Sequence, residues 1–337
     1  MTLSQPSTLV ATLQEWLSID STSGDEREFL EHLEAYFTAR GWSVERQAVQ
    51  PQRWNLIISG KETPRVYFST HVDTVPPFLP VRYSGDAVHG RGACDTKGGL
   101  LAMTRAAERL RDEGIDDIGF LLVVGEEVDH CGAKSAEELE IQPERIILCE
   151  PTENKVVRAQ KGMLKFELRA SGTAGHSAFP ECGQSAVEPL LDALQRLREA
   201  TWPSDHILGP TTFNVGVIEA GVAANVFAPS ARAELLFRAV SPIGPLLTHV
   251  ENLLGEEVTM EKVVFNDPVF FDPPDDVETC TVPFNTDATY LQKLAPVWLV
   301  GPGDIRVAHS DDEFIGIQQL RAGIDLYCDL ARRALAC

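Results

Sequence analysis

Histidine and carboxylate side chains follow three apolar runs of this 337-residue sequence, at the point where each run ends. The first run is followed by His71 and Asp73, the second by the adjacent Glu126 and Glu127, and the third by Glu150. Residues 118–124 and 145–149 are continuous apolar runs, typical of strands buried on both faces of a sheet, and 65–70 is predicted as a short strand. The carboxyl ends of such strands meet at one edge of an open α/β sheet, so we expect these side chains to lie together.

Two further residues extend this set. Asp95 lies in the glycine-rich segment 90–99, directly before a predicted helix, and His309 lies in the loop after a fourth apolar run. Alone, each residue has a simpler interpretation, because histidines are often hydrogen-bonded core residues and aspartates often cap helices or form turns. Together, two imidazoles and several carboxylates at one sheet edge form a mixed nitrogen and oxygen donor set that suits Zn²⁺.

The elements that must position these residues alternate between helical and strand patterns. Helices are predicted over 26–40 and 98–111, and strands over 55–59, 65–70, 118–124 and 145–149. A strand over 294–300 and a helix over 315–336 resume the same pattern at the end of the chain. This alternation predicts an α/β sandwich.

The middle of the chain has a different character. Residues 163–170 alternate apolar and polar side chains, which indicates a half-exposed antiparallel strand. The predicted order β-α-β-β-α-β that starts there is that of a ferredoxin-like split unit. We therefore expect an inserted α+β domain over 156–270 within a catalytic domain formed by 1–155 and 271–337.

Six segments of the sequence then reveal a family resemblance. They are His71-Val-Asp73, Gly90-Arg-Gly-Ala-Cys-Asp-Thr-Lys-Gly98, Gly125-Glu-Glu127, Cys149-Glu-Pro-Thr152, Gly175-His-Ser-Ala178 and Ala308-His309. In this order they resemble the signature series of the dinuclear zinc deacylase and exopeptidase family. Its members include acetylornithine deacetylase, succinyl-diaminopimelate desuccinylase, aminoacylase and carboxypeptidase G-type enzymes.

The resemblance implies a zinc-exopeptidase-like catalytic domain with a mixed, mostly parallel sheet, and two Zn²⁺ ions per subunit, for which Co²⁺ or Mn²⁺ could substitute. Asp95 would bridge the two ions. His71 and Glu150 would complete one site, and Glu127 and His309 the other. The resemblance also implies a cis peptide bond after Asp95.

Catalytic roles are implied for two residues beside the ligands. Glu126 would be the general base, and Asp73 would hydrogen-bond the second ring nitrogen of His71 and so fix its tautomer. Cys94, beside Asp95, is interpreted as a small packing residue. His130 and Cys131 follow Glu127 closely, but no third ligand accompanies them, so they are interpreted as loop residues.

The inserted domain carries the other half of the resemblance, as a lid and dimerisation domain. His176 would reach into the partner subunit's active site and polarise the scissile carbonyl, which requires a homodimer. Asn225 and Arg238 would contact the substrate, with a turn asparagine and a surface arginine as the alternatives. Gly301 and Gly303 would form a backbone cradle for the substrate carboxylate, unless they form an ordinary tight turn.

The implied reaction is hydrolysis of the amide bond of a small N-acyl amino acid. Segments 70–77, 150–152 and 285–288 look most like acetylornithine deacetylases of arginine biosynthesis, although Gln160 stands where that subgroup would have a histidine. The alternatives are N-acetylcitrulline, N-acetyl-lysine, N-succinyl-diaminopimelate or a dipeptide or carboxypeptidase substrate. A binding protein that has lost the chemistry is a remote alternative.

Composition and charge limit the possible partners. The 50 acidic residues exceed the 29 basic ones by 21, and such a chain repels nucleic-acid phosphates and anionic lipid. Seven scattered cysteines without a Cys-x-x-Cys pair indicate reduced thiols, and residues 1–6 show no secretory signal pattern. These features predict a cytoplasmic protein that binds neither nucleic acid nor membrane.

Overall fold

The computed structural model describes residues 8–336 of the chain. The segment on which the expectation of no secretory signal depends lies outside these residues, as does Cys337. The helices are α1 Thr8–Leu17, α2 Arg27–Thr38, α3 Lys97–Asp112, α4 Cys131–Ala136, α5 Val187–Glu199, α6 Ile243–Leu254, α7 Ala288–Leu291 and α8 Ile317–Ala336. Two short 3-10 turns are formed by Pro180–Cys182 and Ile305–Val307.

The strands form one large sheet, one four-stranded sheet and three small ones. In chain order they are β1 Ser43–Gln50, β2 Arg53–Ser59, β3 Val66–His71, β4 Arg82–Tyr83, β5 Ala87–His89, β6 Ile118–Val123, β7 Arg145–Leu148, β8 Val156–Gln160, β9 Gly162–Ser171, β10 Ser204–Asp205, β11 Gly209–Pro210, β12 Thr212–Ala220, β13 Ser230–Ala239, β14 Val258–Asn266, β15 Val269–Phe270, β16 Thr279–Val282, β17 Val297–Leu299 and β18 Phe314–Gly316. The small sheets have the orders β10-β11, β15-β8-β16 and β18-β5-β4.

The large sheet has the order β1-β2-β6-β3-β7-β17. Strands β6, β3, β7 and β17 run parallel, and β1 and β2 add an antiparallel edge. Every residue of β3 and of β6 is buried, which confirms that their apolar runs lie between covering layers. The predicted mixed, mostly parallel α/β sheet is therefore confirmed.

Contacts between Cα atoms divide the chain into two compact units. The first combines the chain up to Arg158 with Phe271–Cys280 and with the chain from Thr286 onward, and the second combines Ala159–Phe270 with Thr281–Asn285. The sequence places its boundaries near residues 156 and 270. It does not single out the short segment Thr281–Asn285, which returns to the second unit.

The core of the first unit lies on both faces of the large sheet. Phe68 of β3 and Phe120 of β6 lie with ring centroids 5.8 Å apart, and Tyr327 of α8 packs against Phe68. Helices α1 and α8 both contact α3. Helix α3 is thereby held against the sheet edge where β7 ends, and its first residues immediately follow Asp95.

The second unit has the element order β9-α5-β12-β13-α6-β14 and the strand order β12-β13-β9-β14, all antiparallel. This is the arrangement of a ferredoxin-like split unit. Alternate residues of β9 and β13, such as Phe166 and Phe237, pack with α5 and α6 in one buried cluster. The alternation along 163–170 therefore places its apolar side chains against the two helices.

Within residues 8–336, no helix combines the length and the apolar character that a membrane crossing requires.

Glycine is required where α3 approaches the end of β7. A Cβ atom on Gly99 would overlap the sulfur of Cys149, the residue that precedes Glu150. Gly244 of α6 is the contrasting case, because nothing lies within 4 Å of the position that a Cβ atom would occupy there. Packing therefore requires glycine at position 99 but not at position 244.

We expect Gly99→Ala to lower the free energy of unfolding by about 1–3 kcal/mol, because overpacking forces the backbone or Cys149 to move. Gly244→Ala should leave stability unchanged or raise it slightly, since alanine is the better helix former. Urea unfolding of both variants measures the difference. Equal stabilities would show that α3 and β7 can separate without cost.

Candidate metal centre

The five predicted metal ligands all lie in the first unit, at the carboxyl edge of the parallel strands. His71 is the last residue of β3, Glu127 follows the turn after β6, and Glu150 lies two residues after the end of β7. Asp95 and His309 come from the loops before α3 and after β17. Because β6, β3, β7 and β17 are neighbours in the sheet, their carboxyl ends bring these loops to one place.

Asp95 lies between the two imidazoles. One carboxylate oxygen is 3.0 Å from Nε2 of His71, and the other is 3.4 Å from Nε2 of His309. The same nitrogen of His309 lies 3.1 Å from the carboxylate of Glu127. Candidate ligand atoms of His71, Asp95 and Glu127 all fall within 4.8 Å of one another. This is the arrangement a bridging carboxylate needs, and the peptide bond from Asp95 to Thr96 is cis.

The donor set fits metal ions on a separate ground, which is its unbalanced charge. Glu150 is only 4% exposed, and its Oε1 has no hydrogen-bond partner among the described residues. Burial, followed by the negative charge of Asp95, raises the pKa of Glu150 well above its usual range. A buried carboxylate without a donor is costly unless a cation compensates its charge. Glu150 is therefore suited to complete the coordination of an ion.

Electrostatics distinguish Asp95 from its neighbours. Burial alone would raise its pKa, but hydrogen bonds to His309 and His71 outweigh burial and lower it. Conversely, the hydrogen bonds to Asp95 and Glu127 raise the pKa of His309 to about 10. Asp95 is thus held as a carboxylate by the two imidazoles.

Asp73 holds the centre together in a way that the sequence does not indicate. Nδ1 of His71 lies 2.9 Å from the backbone oxygen of Asp73 and 3.5 Å from its carboxylate, so the closer contact is with the carbonyl. The Asp73 carboxylate accepts hydrogen bonds from the Ser23 hydroxyl and from the backbone N–H groups of Glu126 and Glu127. Asp73 therefore positions both glutamates as well as His71.

The candidate base Glu126 has an environment that favours proton transfer. Its side chain is 12% exposed, and burial, followed by the charge of Glu150, raises its pKa well above its usual range. A general base works best when its pKa lies near the operating pH. The adjacent residue Glu127 points to His309, so the two glutamates have different partners.

His130 lies in the loop before α4, as interpreted, but the expectation that no third ligand accompanies it is contradicted by its position beside Glu126 and Asp287. Its Nδ1 lies 2.9 Å from Oδ1 of Asp287 and 3.7 Å from Oε1 of Glu126. Asp287 is 157 residues away in the chain, so no local pattern connects the two. Cys131, also predicted as a loop residue, is instead the first residue of α4. Its sulfur and that of Cys94 point at the backbone oxygens of Val124 and Asp304.

The predicted backbone cradle is contradicted at Gly301. Its N–H donates to Oγ1 of Thr152, and its carbonyl accepts from the N–H groups of Thr152 and Asn154. The carbonyl of Gly303 accepts from Glu153. Gly301 thus fixes the segment after Glu150 and has no amide left for a substrate carboxylate.

The three predicted residues of the second unit fall into two places. The segment of His176 pairs with that of Asn225, because the Ser177 N–H donates to the Asn225 carbonyl and His176 bridges Val226. Nδ1 of His176 accepts from the Ala178 N–H, which leaves Nε2 as the outward ring nitrogen. Arg238 lies near the opposite end of the sheet, since it pairs with Met163. Burial lowers the pKa of Arg238.

Glu313 is a residue of this centre that the sequence does not indicate. Its Oε1 accepts from the backbone N–H groups of Cys94 and Asp95, at 3.0 and 3.1 Å, and its Oε2 lies 2.6 Å from Nη1 of Arg91. Both side chains are buried, 0% exposed for Glu313 and 2% for Arg91. The pair therefore holds the backbone of Asp95.

Fold and site together define a hydrolase-like α/β protein with a carboxylate and imidazole centre for metal ions. Residues 67–333 match the profile of peptidase family M20/M25/M40, and the chain belongs to that family.

Relatives support this assignment. A peptidase M20 domain-containing protein of Schizosaccharomyces pombe is 36% identical over 332 residues, which cover 95% of this chain and 83% of that protein. A probable carboxypeptidase of Aspergillus flavus is 32% identical over 368 residues, covering 95% of this chain and 86% of that protein. The crystal structure of a tripeptidase from Staphylococcus aureus shares the fold, with a TM-score of 0.82, 22% identity and coverage of 96% of this chain and 98% of that one.

We expect Glu313→Gln to weaken metal binding by about 10- to 100-fold, the usual effect of losing a group that orients a ligand. The amide can offer only one acceptor and leaves the Arg91 charge unpaired. Competition with a chromophoric chelator measures the affinity. Asp312→Asn is the matched control, because Asp312 is 71% exposed and its ion pairs, with Arg82 and His89, involve none of the candidate metal ligands. Unchanged affinity in Glu313→Gln would remove Glu313 from the centre.

Proposed function

We propose that the chain is a zinc-dependent amidohydrolase that removes the acyl group from a small N-acyl amino acid, with N-acetylornithine as the first substrate to test. The observation that carries the proposal is the Asp95 carboxylate, which offers one oxygen toward each of two histidines. His71 and Glu150 would hold one ion, Glu127 and His309 the other, with Asp95 shared. Zinc at this position supplies Lewis-acid chemistry, which polarises a carbonyl and lowers the pKa of a coordinated water.

Side chains of the protein transfer the proton, stabilise the oxyanion and contact the substrate. Glu126 takes a proton from the attacking water and delivers it to the leaving amine, for which its raised pKa is suited. His176 donates from Nε2 to the developing oxyanion, because its Nδ1 is engaged by Ala178. Asn225 and Arg238 contact the substrate, Arg238 through the substrate carboxylate.

A dipeptide or carboxypeptidase substrate is the second candidate. It is favoured by the relative named a probable carboxypeptidase and by the tripeptidase with the same fold. N-acetylcitrulline, N-acetyl-lysine and N-succinyl-diaminopimelate remain further members of the test panel. Amine release from N-acetyl and N-succinyl amino acids and from dipeptides decides among them.

We also propose a homodimer joined through the second unit. Arg238 is eight residues along β13 from Ser230, which pairs with Ser171 at the other end of β9. At about 3.4 Å per residue, this separates Arg238 from that end by roughly 27 Å. The segments of His176 and Asn225 lie beyond this end of the two strands. One copy of the unit therefore cannot place His176, Asn225 and Arg238 around one small substrate. Two copies can.

Glu126→Gln should keep both metal ions and lose about 10²- to 10⁴-fold in kcat, because the base is removed while the ligands stay. Asp95→Ala is the contrasting variant and should lose metal. Turnover of a substrate panel, together with metal analysis after dialysis, measures both effects. Wild-type kcat in Glu126→Gln, or about two bound zinc ions in Asp95→Ala, would contradict these roles.

Subunit exchange tests the dimer. His176→Ala and Glu126→Gln should each be inactive, but a mixed dimer has one site with Glu126 from one chain and His176 from the other. Half of a random mixture is mixed dimer with one good site of two, so about a quarter of wild-type activity should return. Absence of complementation, with exchange verified by mass, would mean that His176 serves its own subunit or has no catalytic role.

A further inference from the structure

A second cluster of titratable side chains lies beside the metal centre. It consists of Glu126, His130 and Asp287, whose candidate ligand atoms fall within 4.8 Å of one another. We refer to it as the Asp287 cluster. All three residues belong to the first unit, and only Glu126 has a role in the proposed mechanism.

Asp287 is buried and only half satisfied. Its side chain is 1% exposed, and Oδ1 lies 2.9 Å from Nδ1 of His130. Its Oδ2 has no hydrogen-bond partner among the described residues. The free-energy cost of burying a carboxylate oxygen without a donor is several times what a hydrogen bond contributes to stability. A ligand that donates a hydrogen bond to Oδ2 removes this cost.

Helix capping does not explain Asp287. It occupies the N-cap position of α7, where an aspartate usually accepts from the first backbone N–H groups of the helix. Here the side chain makes no capping bond, and the hydroxyl of Thr286 accepts from the Ala288 N–H. The carboxylate is turned away from its helix and toward His130.

His130 holds this orientation. It has a left-handed backbone with φ 57°, and its ring lies 5.3 Å from the ring of Tyr290, between centroids. Left-handed backbone is uncommon outside glycine, so the local fold fixes where the imidazole points. The imidazole anchors Oδ1 of Asp287 and leaves Oδ2 without a donor among the described residues.

The charge balance indicates the ligand. In the proposed coordination Asp95, Glu127 and Glu150 would hold the metal ions, which would neutralise their charges. Three hydrogen-bond donors satisfy Asp73. Glu126 and Asp287 remain, with a single imidazole between them. Oε1 of Glu126 and Oδ1 of Asp287 lie 3.7 and 2.9 Å from the same nitrogen of His130, so both carboxylates converge on one imidazole. A group that approaches this cluster is favoured if it is positive.

We propose that Asp287, oriented by His130, binds a primary ammonium group of the substrate and thereby selects cationic substrates. This inference rests on the proposed function and deepens it. The ammonium can come from two sources, the side chain of an ornithine-like amino acid or the amino terminus of a dipeptide. Both offer the same donors to the free oxygen of Asp287.

Matched substrate pairs test the inference on the metal-loaded enzyme. N-acetylornithine and N-acetylnorleucine have side chains of equal length, with and without the ammonium group. Alanyl-norleucine and propionyl-norleucine differ in the same way at the amino terminus. In one of the pairs, wild-type kcat/KM should favour the cationic member by about 10- to 100-fold, as expected for a charge-assisted hydrogen bond. The pair that shows the preference identifies the source.

Asp287→Asn should abolish that preference, mainly through KM of the cationic member. His130→Gln should also reduce the preference, because the free oxygen of Asp287 loses its orientation. This variant tests the inference if Asp287→Asn does not fold. Glu137→Gln is the control, since it removes a nearby negative charge that pairs with Lys293. The control should keep the wild-type preference.

Three results would overturn the inference while leaving the proposed function intact. They are equal wild-type rates within both pairs, an equal loss for both members in Asp287→Asn, and the loss of one bound metal ion in Asp287→Asn. The second would make Asp287 a residue that positions Glu126, and the third a metal ligand. If the wild type cleaves no N-acyl amino acid or dipeptide, the proposed function itself fails.

Discussion

Several carboxylates are buried close together in the first unit, and the structure around them depends on how their negative charge is compensated. Asp95, Glu127, Glu150 and Asp287 are all at least nine-tenths buried, and they approach one another at the carboxyl edge of one sheet. Such a cluster is stable only if donors and cations surround it. The described residues supply part of this compensation: imidazoles flank Asp95, and His130 contacts Asp287, whereas Oε1 of Glu150 and Oδ2 of Asp287 have no hydrogen-bond partner among them.

Several backbone N–H groups near the site are hydrogen-bonded to side chains of the protein. The amides of Glu126 and Glu127 are tied to Asp73, those of Cys94 and Asp95 to Glu313, and that of Gly301 to Thr152. Ligand side chains then project from a backbone that has few remaining ways to move. This rigidity has the character of a preorganised site, in which little reorganisation is needed when charge develops.

The sequence predicts those site residues whose positions are set by the strand directly before them in the chain. His71, Glu127 and Glu150 each follow a strand whose apolar run is legible, and parallel strands bring such positions together. The contacts of Asp287 with His130 and of Glu313 with Asp95 join residues 157 and 218 positions apart, and no spacing shows them. Strand β1 is likewise absent from the sequence-based prediction, because its sequence is largely polar and it lies at the edge of the sheet.

The loop after β17 carries two functions on one short segment. His309 faces Asp95 and Glu127, and Glu313, four residues later, holds the backbone of Asp95. His309 is half exposed while His71 is buried, so the protein encloses one of the two imidazoles that flank Asp95 and leaves the other open to solvent. In the proposed coordination, an ion held by His309 and Glu127 would also restrain the Asp95 carboxylate, which the second ion would share. The entropy lost on binding the first ion would then not be lost again on binding the second, so the two positions would fill cooperatively.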